Sequence, residues 1–158
     1  VTGVQTCALP IFDRPFDTIR VMDLFAGTGA LGLEAISRGS VYCLFIDNDA
    51  RSRALLRNNI EALSLTGITR IFRRDALDLG PRGTMGKFDL VFMDPPYRKG
   101  LGELALNSLQ KGDWLNSGAI IIWEEHSLAN ILWPKEFTEI DRRTWGDTQV
   151  AFGSFRSN

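Results

Sequence analysis

The sequence predicts an α/β domain built on a doubly wound, Rossmann-like sheet that is mostly parallel and covered by helices on both faces. Short apolar, strand-like runs alternate with helical segments from Arg20 to Trp123, and such alternation favours parallel strands joined by crossover helices. Residues 136–155 instead contain two strand-like segments on either side of Gly146-Asp147. These segments predict a terminal hairpin that adds an antiparallel edge strand.

Each element has its own signal along the chain. Continuous apolar runs of strand length are typical of strands buried on both faces, and the strands predicted before the hairpin are Arg20–Phe25, Val41–Ile46, Thr69–Phe72, Phe88–Met93 and Ala119–Trp123. Helices are predicted over Leu31–Arg38, which Gly39 ends, over Ala50–Leu63, which Asp49 caps, and over Glu103–Leu109. In the second helix the apolar positions predicted to leave the arginines to solvent are Ala54, Leu55, Ile60, Ala62 and Leu63.

The length and composition indicate a single domain with little net charge. Its 158 residues suffice for one full core, and no apolar run approaches the roughly 20 residues that span a bilayer. The formal net charge of −1 means that a nucleic-acid partner must be held by local basic patches. Cys7 and Cys43 show neither a disulfide framework nor a metal-ligand spacing, which favours a reducing cytoplasm. Since His126 is the only histidine, no metal site is predicted.

The first eleven residues differ from the rest of the chain in their sequence pattern. Val1–Ile11 has neither a clear period nor the charged region of a signal peptide, and it resembles translated sequencing-adapter sequence. We therefore expect residues 1–11 to be a non-native leader and residues 12–158 to form the domain.

A glycine-rich segment, Asp23–Gly32, joins the first strand to the first helix. Gly27, Gly29 and Gly32 match G-x-G-x-x-G, and Asp47 follows at the end of the second strand. An acid about 20 residues after the first glycine binds ribose hydroxyls in dinucleotide-binding folds. A lone match is weak, so a nucleotide-binding domain for NAD without transfer chemistry and an ordinary tight turn both stay open at this point.

Asp23 favours a different cofactor. A carboxylate four residues before the first glycine repels an anionic pyrophosphate, whereas S-adenosylmethionine carries an ammonium and a sulfonium and no phosphate. In this interpretation Asp23 binds the ammonium through the loop or water, and Asp47 accepts hydrogen bonds from both ribose hydroxyls. Asp75, which follows the third strand, accepts from the adenine amino group.

The segment Asp94-Pro95-Pro96-Tyr97 follows the fourth strand and favours chemistry on the exocyclic amine of a base. Such a nitrogen is planar and weakly nucleophilic because its lone pair is delocalised into the ring. The Asp94 carboxylate and the Pro95 carbonyl, which the two prolines hold rigidly, are suited to accept its two hydrogens. Tyr97 is suited to stack on the base.

Basic residues near this segment are candidates for contact with the phosphates that flank a base. Arg98 and Lys99 follow Tyr97 directly, and we expect them to bind nucleic-acid phosphates. Arg73-Arg74 and Arg142-Arg143 are weaker candidates, for which ordinary solvated charges are the favoured interpretation.

Together these motifs resemble a known family. DLFAGTGALGLEAISRG (23–39), with FIDNDA (45–50), IFRRDAL (71–77) and FDLVFMDPPY (88–97), is similar to the bacterial 16S ribosomal RNA guanine-N2 methyltransferases. The resemblance covers roughly Arg20 to Arg156. It implies a methyltransferase fold with seven strands, a monomer, S-adenosylmethionine as cofactor, and transfer to a guanine of 16S ribosomal RNA or of the assembling small subunit. DNA adenine-N6 methyltransferases share DPPY and remain the alternative in substrate.

Carried over by motif, the resemblance assigns the site residues. The catalytic loop is Asp94, Pro95, Pro96 and Tyr97, and the cofactor contacts are Asp23, Phe25, Ala26, Gly27, Thr28, Gly29, Asp47, Asn48, Asp75 and Ala76. Family members carry a basic segment with an Arg-Pro-Thr motif before the first strand, where this chain has only Asp13–Asp17. We therefore expect an N-terminally truncated fragment, whose activity does not follow from the resemblance.

Overall fold

The computed structural model of the chain describes residues 15–96 and 100–157. The strands are β1 Arg20–Leu24, β2 Tyr42–Ile46, β3 Thr69–Phe72, β4 Phe88–Met93, β5 Leu115–His126, β6 Phe137–Trp145 and β7 Thr148–Phe155. The helices are α1 Ala30–Ser37, α2 Ala50–Ala62 and α3 Leu101–Lys111. Val1–Ile11, which the sequence sets apart as a leader, lies outside the described residues.

The described strands form one seven-stranded sheet in the order β3-β2-β1-β4-β5-β7-β6, which confirms the predicted doubly wound fold. Strands β1 to β5 are all parallel to one another, and the strand order reverses between β1 and β4. In doubly wound sheets such a reversal opens a crevice at the carboxyl ends of the strands, where ligands bind.

The terminal hairpin differs from the prediction in its position. Strand β7 is antiparallel both to β5 and to β6, so the antiparallel strand lies inside the sheet and β6 forms the edge. The reason is burial: residues 149–153 of β7 are buried, while β6 is buried at Phe137 and otherwise largely exposed. A strand that is apolar on both faces needs neighbours on both sides.

Strand β5 is longer than the predicted Ala119–Trp123 because its neighbours extend it in both directions. Leu115 pairs with Phe88 of β4 across a register shift, and β7 pairs with β5 as far as His126, which lies opposite Thr148. The carboxyl end of β5 therefore projects three residues beyond Trp123, the last residue that pairs with β4.

Two apolar layers cover the sheet. One face packs on α3 through Ala105, Leu106 and Leu109, and the other packs on α1 and α2. The predicted apolar face of α2 is wrong except at Ile60, because the buried side chains are Leu56 and Ile60 while Leu55 and Leu63 are 47% and 57% exposed. Within the described residues no helix is long and apolar enough to cross a membrane.

Strand alternation decides which face each strand end presents to the crevice. Val21, Phe45, Phe92 and Ile122 all belong to the layer beneath α1 and α2. The residues two positions further along, Asp23, Asp47, Asp94 and Glu124, therefore share that face. Four carboxyl groups thus gather at one edge of the sheet.

Candidate active site

A cavity of about 670 Å³ opens at this edge, a size typical of small-molecule sites. The predicted site residues that line it are Phe25, Asp47, Asn48, Asp75, Ala76, Asp94, Pro95 and Pro96. It is also lined by Arg74, one of the weaker basic candidates, and by four residues to which no site role is assigned from the sequence, namely Ile46, Asp49, Leu77 and Leu101. The acids after β2, β3 and β4 therefore meet in one cavity, as their positions at successive strand ends predict.

The glycine-rich segment is tied down by two carboxylates. The Gly27 N–H donates to Asp47 Oδ2 at 2.8 Å, and the Gly32 N–H donates to Asp23 Oδ2 at 3.0 Å. Gly27 and Gly29 have φ of 58° and 79°, a conformation that glycine adopts without steric cost. Two backbone donors that a dinucleotide fold offers to phosphate are thus already bonded to acids of the chain itself.

Close packing explains the other glycines of this segment. A Cβ on Gly29 would collide with Leu56, and one on Gly32 would meet Phe45 and, at 2.7 Å, the Sγ of Cys43. Helix α1 therefore lies directly on β2. Asn59 of α2 adds a hydrogen bond of 3.0 Å to the Thr28 carbonyl, so both helices on this face hold the segment in place.

Several predicted cofactor contacts do not reach the cavity wall. Asp23 is only 3% exposed, and neither it nor Ala26, Gly27, Thr28 or Gly29 is among the lining residues. Asp23 lies beneath the loop and shapes it through Gly32. Phe25 does line the cavity and holds a φ of 57°, which is rare for a residue with a bulky side chain.

Asp47 and Asp75 face the cavity while bonding to their own loops. Asp47 Oδ1 accepts from the Asp49 N–H at 2.9 Å, and Asp75 Oδ1 accepts from the Leu77 N–H at the same distance. A carboxylate oxygen can accept two hydrogen bonds, so these contacts orient each acid without using all its acceptor capacity.

Two of the clustered acids bind protons unusually tightly. Burial raises the pKa of Asp23 from 3.8 to about 8, against the hydrogen bond from Gly32, and the charges of Asp94 and Asp47 raise it further. Asp94 opens onto the cavity, yet surrounding protein atoms exclude enough water to raise its pKa to about 7, with further contributions from Glu124 and Glu125. Since like charges raise both pKa values, the cavity is a site that favours positive charge.

The segment after β4 begins at the cavity wall. Pro95 is buried, whereas Asp94 and Pro96 are exposed. Tyr97, Arg98 and Lys99, to which base stacking and phosphate contacts are assigned, lie outside the described residues. The predicted catalytic loop is therefore placed in the structure by its first three residues.

Glu124 is a site residue that reasoning from the sequence missed. Its side chain, on β5, is hydrogen-bonded to that of Asp94, so it lies behind a residue of the cavity wall without lining the cavity itself. A signal was present in the pair Glu124-Glu125, because two acids after an apolar strand end are unusual.

The weaker basic candidates divide into two groups. Arg142 forms a salt bridge with Glu139, and Arg143 forms one with Asp141, so both arginines make contacts within the hairpin. Arg74 lines the cavity, lies over the Phe72 ring at 4.9 Å, and donates to the Leu79 carbonyl. Among residues 15–96 and 100–157, no group of three or more acids, cysteines or histidines is arranged to hold a metal ion.

Comparisons with known proteins bear on both the sequence and the fold. The profile of a family described as conserved hypothetical protein 95 matches residues 4–154. Ribosomal RNA small subunit methyltransferase D of Buchnera aphidicola is 31% identical over 119 residues, which are 75% of this chain and 62% of that protein. The Escherichia coli protein of the same name is 38% identical over 104 residues, covering 65% of this chain and 51% of the relative. The chain thus spans between half and two thirds of the length of these relatives.

Two solved structures share the whole architecture. A Haemophilus influenzae protein, whose description proposes a methylase, superimposes with a TM-score of 0.88 at 25% identity, covering 98% of this chain and 89% of the other. An Escherichia coli protein, described in similar terms as a methyltransferase, superimposes with a TM-score of 0.84 at 26% identity, covering 99% and 87%.

The strand order, the crevice and these likenesses define a Rossmann-like methyltransferase fold. Within that class, the chain belongs to the family described as conserved hypothetical protein 95, among whose relatives are the small-subunit ribosomal RNA methyltransferases. The resemblance found in the motifs is confirmed at the level of the family.

Proposed function

We propose that the chain transfers a methyl group from S-adenosylmethionine to the exocyclic N2 amine of a guanine in 16S ribosomal RNA. The observation that carries the proposal is the meeting of Asp47, Asp75 and Asp94-Pro95-Pro96 in one cavity at the switch point of the sheet. The names of the relatives support ribosomal RNA as substrate. We propose that the enzyme acts as a monomer on the RNA or on the assembling small subunit.

The electrostatics of the cavity fit a cationic cofactor. The charges of Asp94 and Asp47 help to raise the pKa of the buried Asp23, so a bound sulfonium and ammonium would relieve a repulsion among these carboxyl groups. Asp47 would hold the ribose hydroxyls and Asp75 the adenine amino group. Phe25, Leu77 and Leu101 supply apolar surface beside them.

A pyrophosphate-bearing cofactor fits this site less well. The Gly27 and Gly32 N–H groups already donate to Asp47 and Asp23, and an anion placed there would displace one carboxylate and face another. This arrangement favours S-adenosylmethionine over NAD, the alternative that the glycine pattern alone leaves open.

The chain's own groups activate the amine. When bound, S-adenosylmethionine supplies a methyl group whose bond to sulfur breaks with its electron pair left on sulfur, while the amine lone pair forms the new bond and one N–H proton passes to water. The Asp94 carboxylate and the Pro95 carbonyl accept hydrogen bonds from the amine and draw its lone pair out of the ring. Pro96 fixes the backbone that carries this carbonyl, so positioning contributes much of the rate.

Cofactor identity is tested by calorimetry on the full chain. S-adenosylhomocysteine should bind, and Asp47→Ala should weaken that binding at least about tenfold because the carboxylate hydrogen bonds to ribose are lost. Asp17→Ala is the control and should bind normally, because it removes an exposed acid that lies before the start of β1, whereas the cavity opens at the carboxyl ends of the strands. Binding of NAD in place of S-adenosylhomocysteine would overturn the assignment.

Methyl transfer is tested with labelled S-adenosylmethionine on small subunits lacking the modification, on free 16S RNA and on DNA in parallel. Label should appear in N2-methylguanine of RNA or subunits, and Asp94→Ala should lower the rate at least about 100-fold while S-adenosylhomocysteine still binds. Label in adenine of DNA, or full activity in Asp94→Ala, would contradict the proposal.

A further inference from the structure

The carboxyl end of β5 places a second carboxyl group beside Asp94. Met93 of β4 and Trp123 of β5 form the last pair of their ladder, and Asp94 and Glu124 are the residues that follow them. Because neighbouring strands lie about 4.8 Å apart, the two carboxyl groups start from adjacent points at the edge of the sheet. Both side chains point to the face beneath α1 and α2, and they are hydrogen-bonded to each other. The contact therefore follows from the strand register as well as from the side-chain positions.

A hydrogen bond between two carboxyl groups requires that they share a proton. An ionised carboxylate is an acceptor only, so one member must be protonated to donate. Burial, followed by the Glu124 charge and this hydrogen bond, is what raises the pKa of Asp94. Below the raised pKa of Asp94, the proton that Asp94 holds therefore lies between the two carboxyl groups.

We propose that Glu124 is a positioning residue for amine activation: it accepts a hydrogen bond from the proton held on one oxygen of Asp94, so that the other Asp94 oxygen remains an acceptor facing the cavity. This inference rests on the proposed function, since Asp94 is the group that meets the amine. Glu124 acts only through Asp94.

Among residues 15–96 and 100–157, the other groups near the pair are carboxyl groups and apolar side chains. Asp23 and Asp47 approach on the same face from β1 and β2, and the buried Val150 stands beside Glu124 on β7. Arg143, opposite Val150 on β6, is bonded to Asp141 at 3.1 Å.

Glu125 offers a matched control on the same strand. Its side chain points to the opposite face, where it accepts from Trp123 Nε1 at 3.2 Å. It adds charge near Asp94 but is not its hydrogen-bond partner. The two adjacent glutamates therefore separate the effect of the hydrogen bond from that of nearby charge.

The ionisation of the pair is measured by carbon-detected NMR of the side-chain carboxyl groups in the full chain. In the unmodified chain, the Asp94 signal should titrate in two steps, as that of a coupled group does. In Glu124→Gln, whose amide can still donate to Asp94, the Asp94 midpoint should fall by about one unit or more because the repulsion is gone. In Glu125→Gln the fall should be smaller.

The same variants are then compared in methyl transfer across pH. The acid limb of the rate profile should move to lower pH in Glu124→Gln by the same amount as the NMR midpoint. A single-step titration of Asp94 in the unmodified chain, or equal midpoint shifts in both variants, would overturn the inference. An unmoved acid limb in Glu124→Gln would also overturn it. Absence of all methyl transfer would refute the proposed function instead, and the NMR titration would still decide whether the pair exists.

Discussion

Replacing Asp23 by asparagine should make the stability of the chain less dependent on pH. Asp23 is buried under the glycine-rich segment, and its pKa in the folded chain is about 8 against an ordinary value of 3.8. Between these values the folded chain keeps a proton that the unfolded chain has lost. The contribution of Asp23 to the free energy of unfolding is therefore greatest below about pH 4 and declines as pH rises toward 8.

The size of the effect follows from proton linkage. One proton retained only by the folded state lowers the free energy of unfolding by about 1.4 kcal/mol per pH unit. Between about pH 5 and pH 7, Asp23 alone should therefore remove about 3 kcal/mol, a large part of the roughly 5–15 kcal/mol typical of a domain. An asparagine Oδ1 can still accept from the Gly32 N–H without carrying a charge, so the decline attributable to this position should disappear.

The assay is urea unfolding at about pH 5, 6 and 7, followed by the fluorescence of the buried Trp114 and Trp123. Ile36→Val in α1 is the control, since it costs about 0.5–1.5 kcal/mol and removes no titratable group. The control should run parallel to the unmodified chain, and Asp23→Asn should be flatter by about 1.4 kcal/mol per unit. Parallel lines for all three proteins would refute the assignment of a bound proton to Asp23.

Two further predictions concern the glycine-rich segment and the charge of the cavity. Gly29→Ala should lower the free energy of unfolding by about 2–3 kcal/mol in thermal unfolding, because the φ of 79° disfavours a side chain and the new Cβ would meet Leu56. Gly67→Ala is the control: space is open at its Cβ, so the free energy of unfolding should change by less than about 0.5 kcal/mol. Equal losses in the two variants would show the reasoning to be wrong. Affinity for S-adenosylmethionine relative to S-adenosylhomocysteine should rise at least about threefold by calorimetry between about pH 6 and 8.5, because Asp94 and Asp23 ionise through about 7 and about 8 and attract the sulfonium. A ratio that stays constant with pH would contradict this account.

Sequence signals confined to a few residues predicted much of the fold correctly. Asp49 caps α2 through the Ser52 N–H at 2.8 Å, and the hairpin turns at Gly146-Asp147 between β6 and β7. The acids at successive strand ends were found for the same reason, since the carboxyl ends of parallel strands share one edge whatever the details of packing.

Features that depend on distant neighbours were predicted less well. The inward face of α2 is Leu56 and Ile60 rather than Leu55 and Leu63, because apolar residues occur around much of the helix and contact with the sheet selects among them. Likewise, β5 extends to His126 only because β7 lies beside it.

The sequence by itself determined the alternation of strands and helices, the family, and the acids at the strand ends, since each depends on residue types at short spacing. Only the tertiary structure decided that β7 lies inside the sheet, that Asp23 is buried beneath the loop, and that Glu124 bonds to Asp94. Burial and proton sharing depend on which strands stand side by side, and residues 30 positions apart in the chain become neighbours only through the register of β4 with β5.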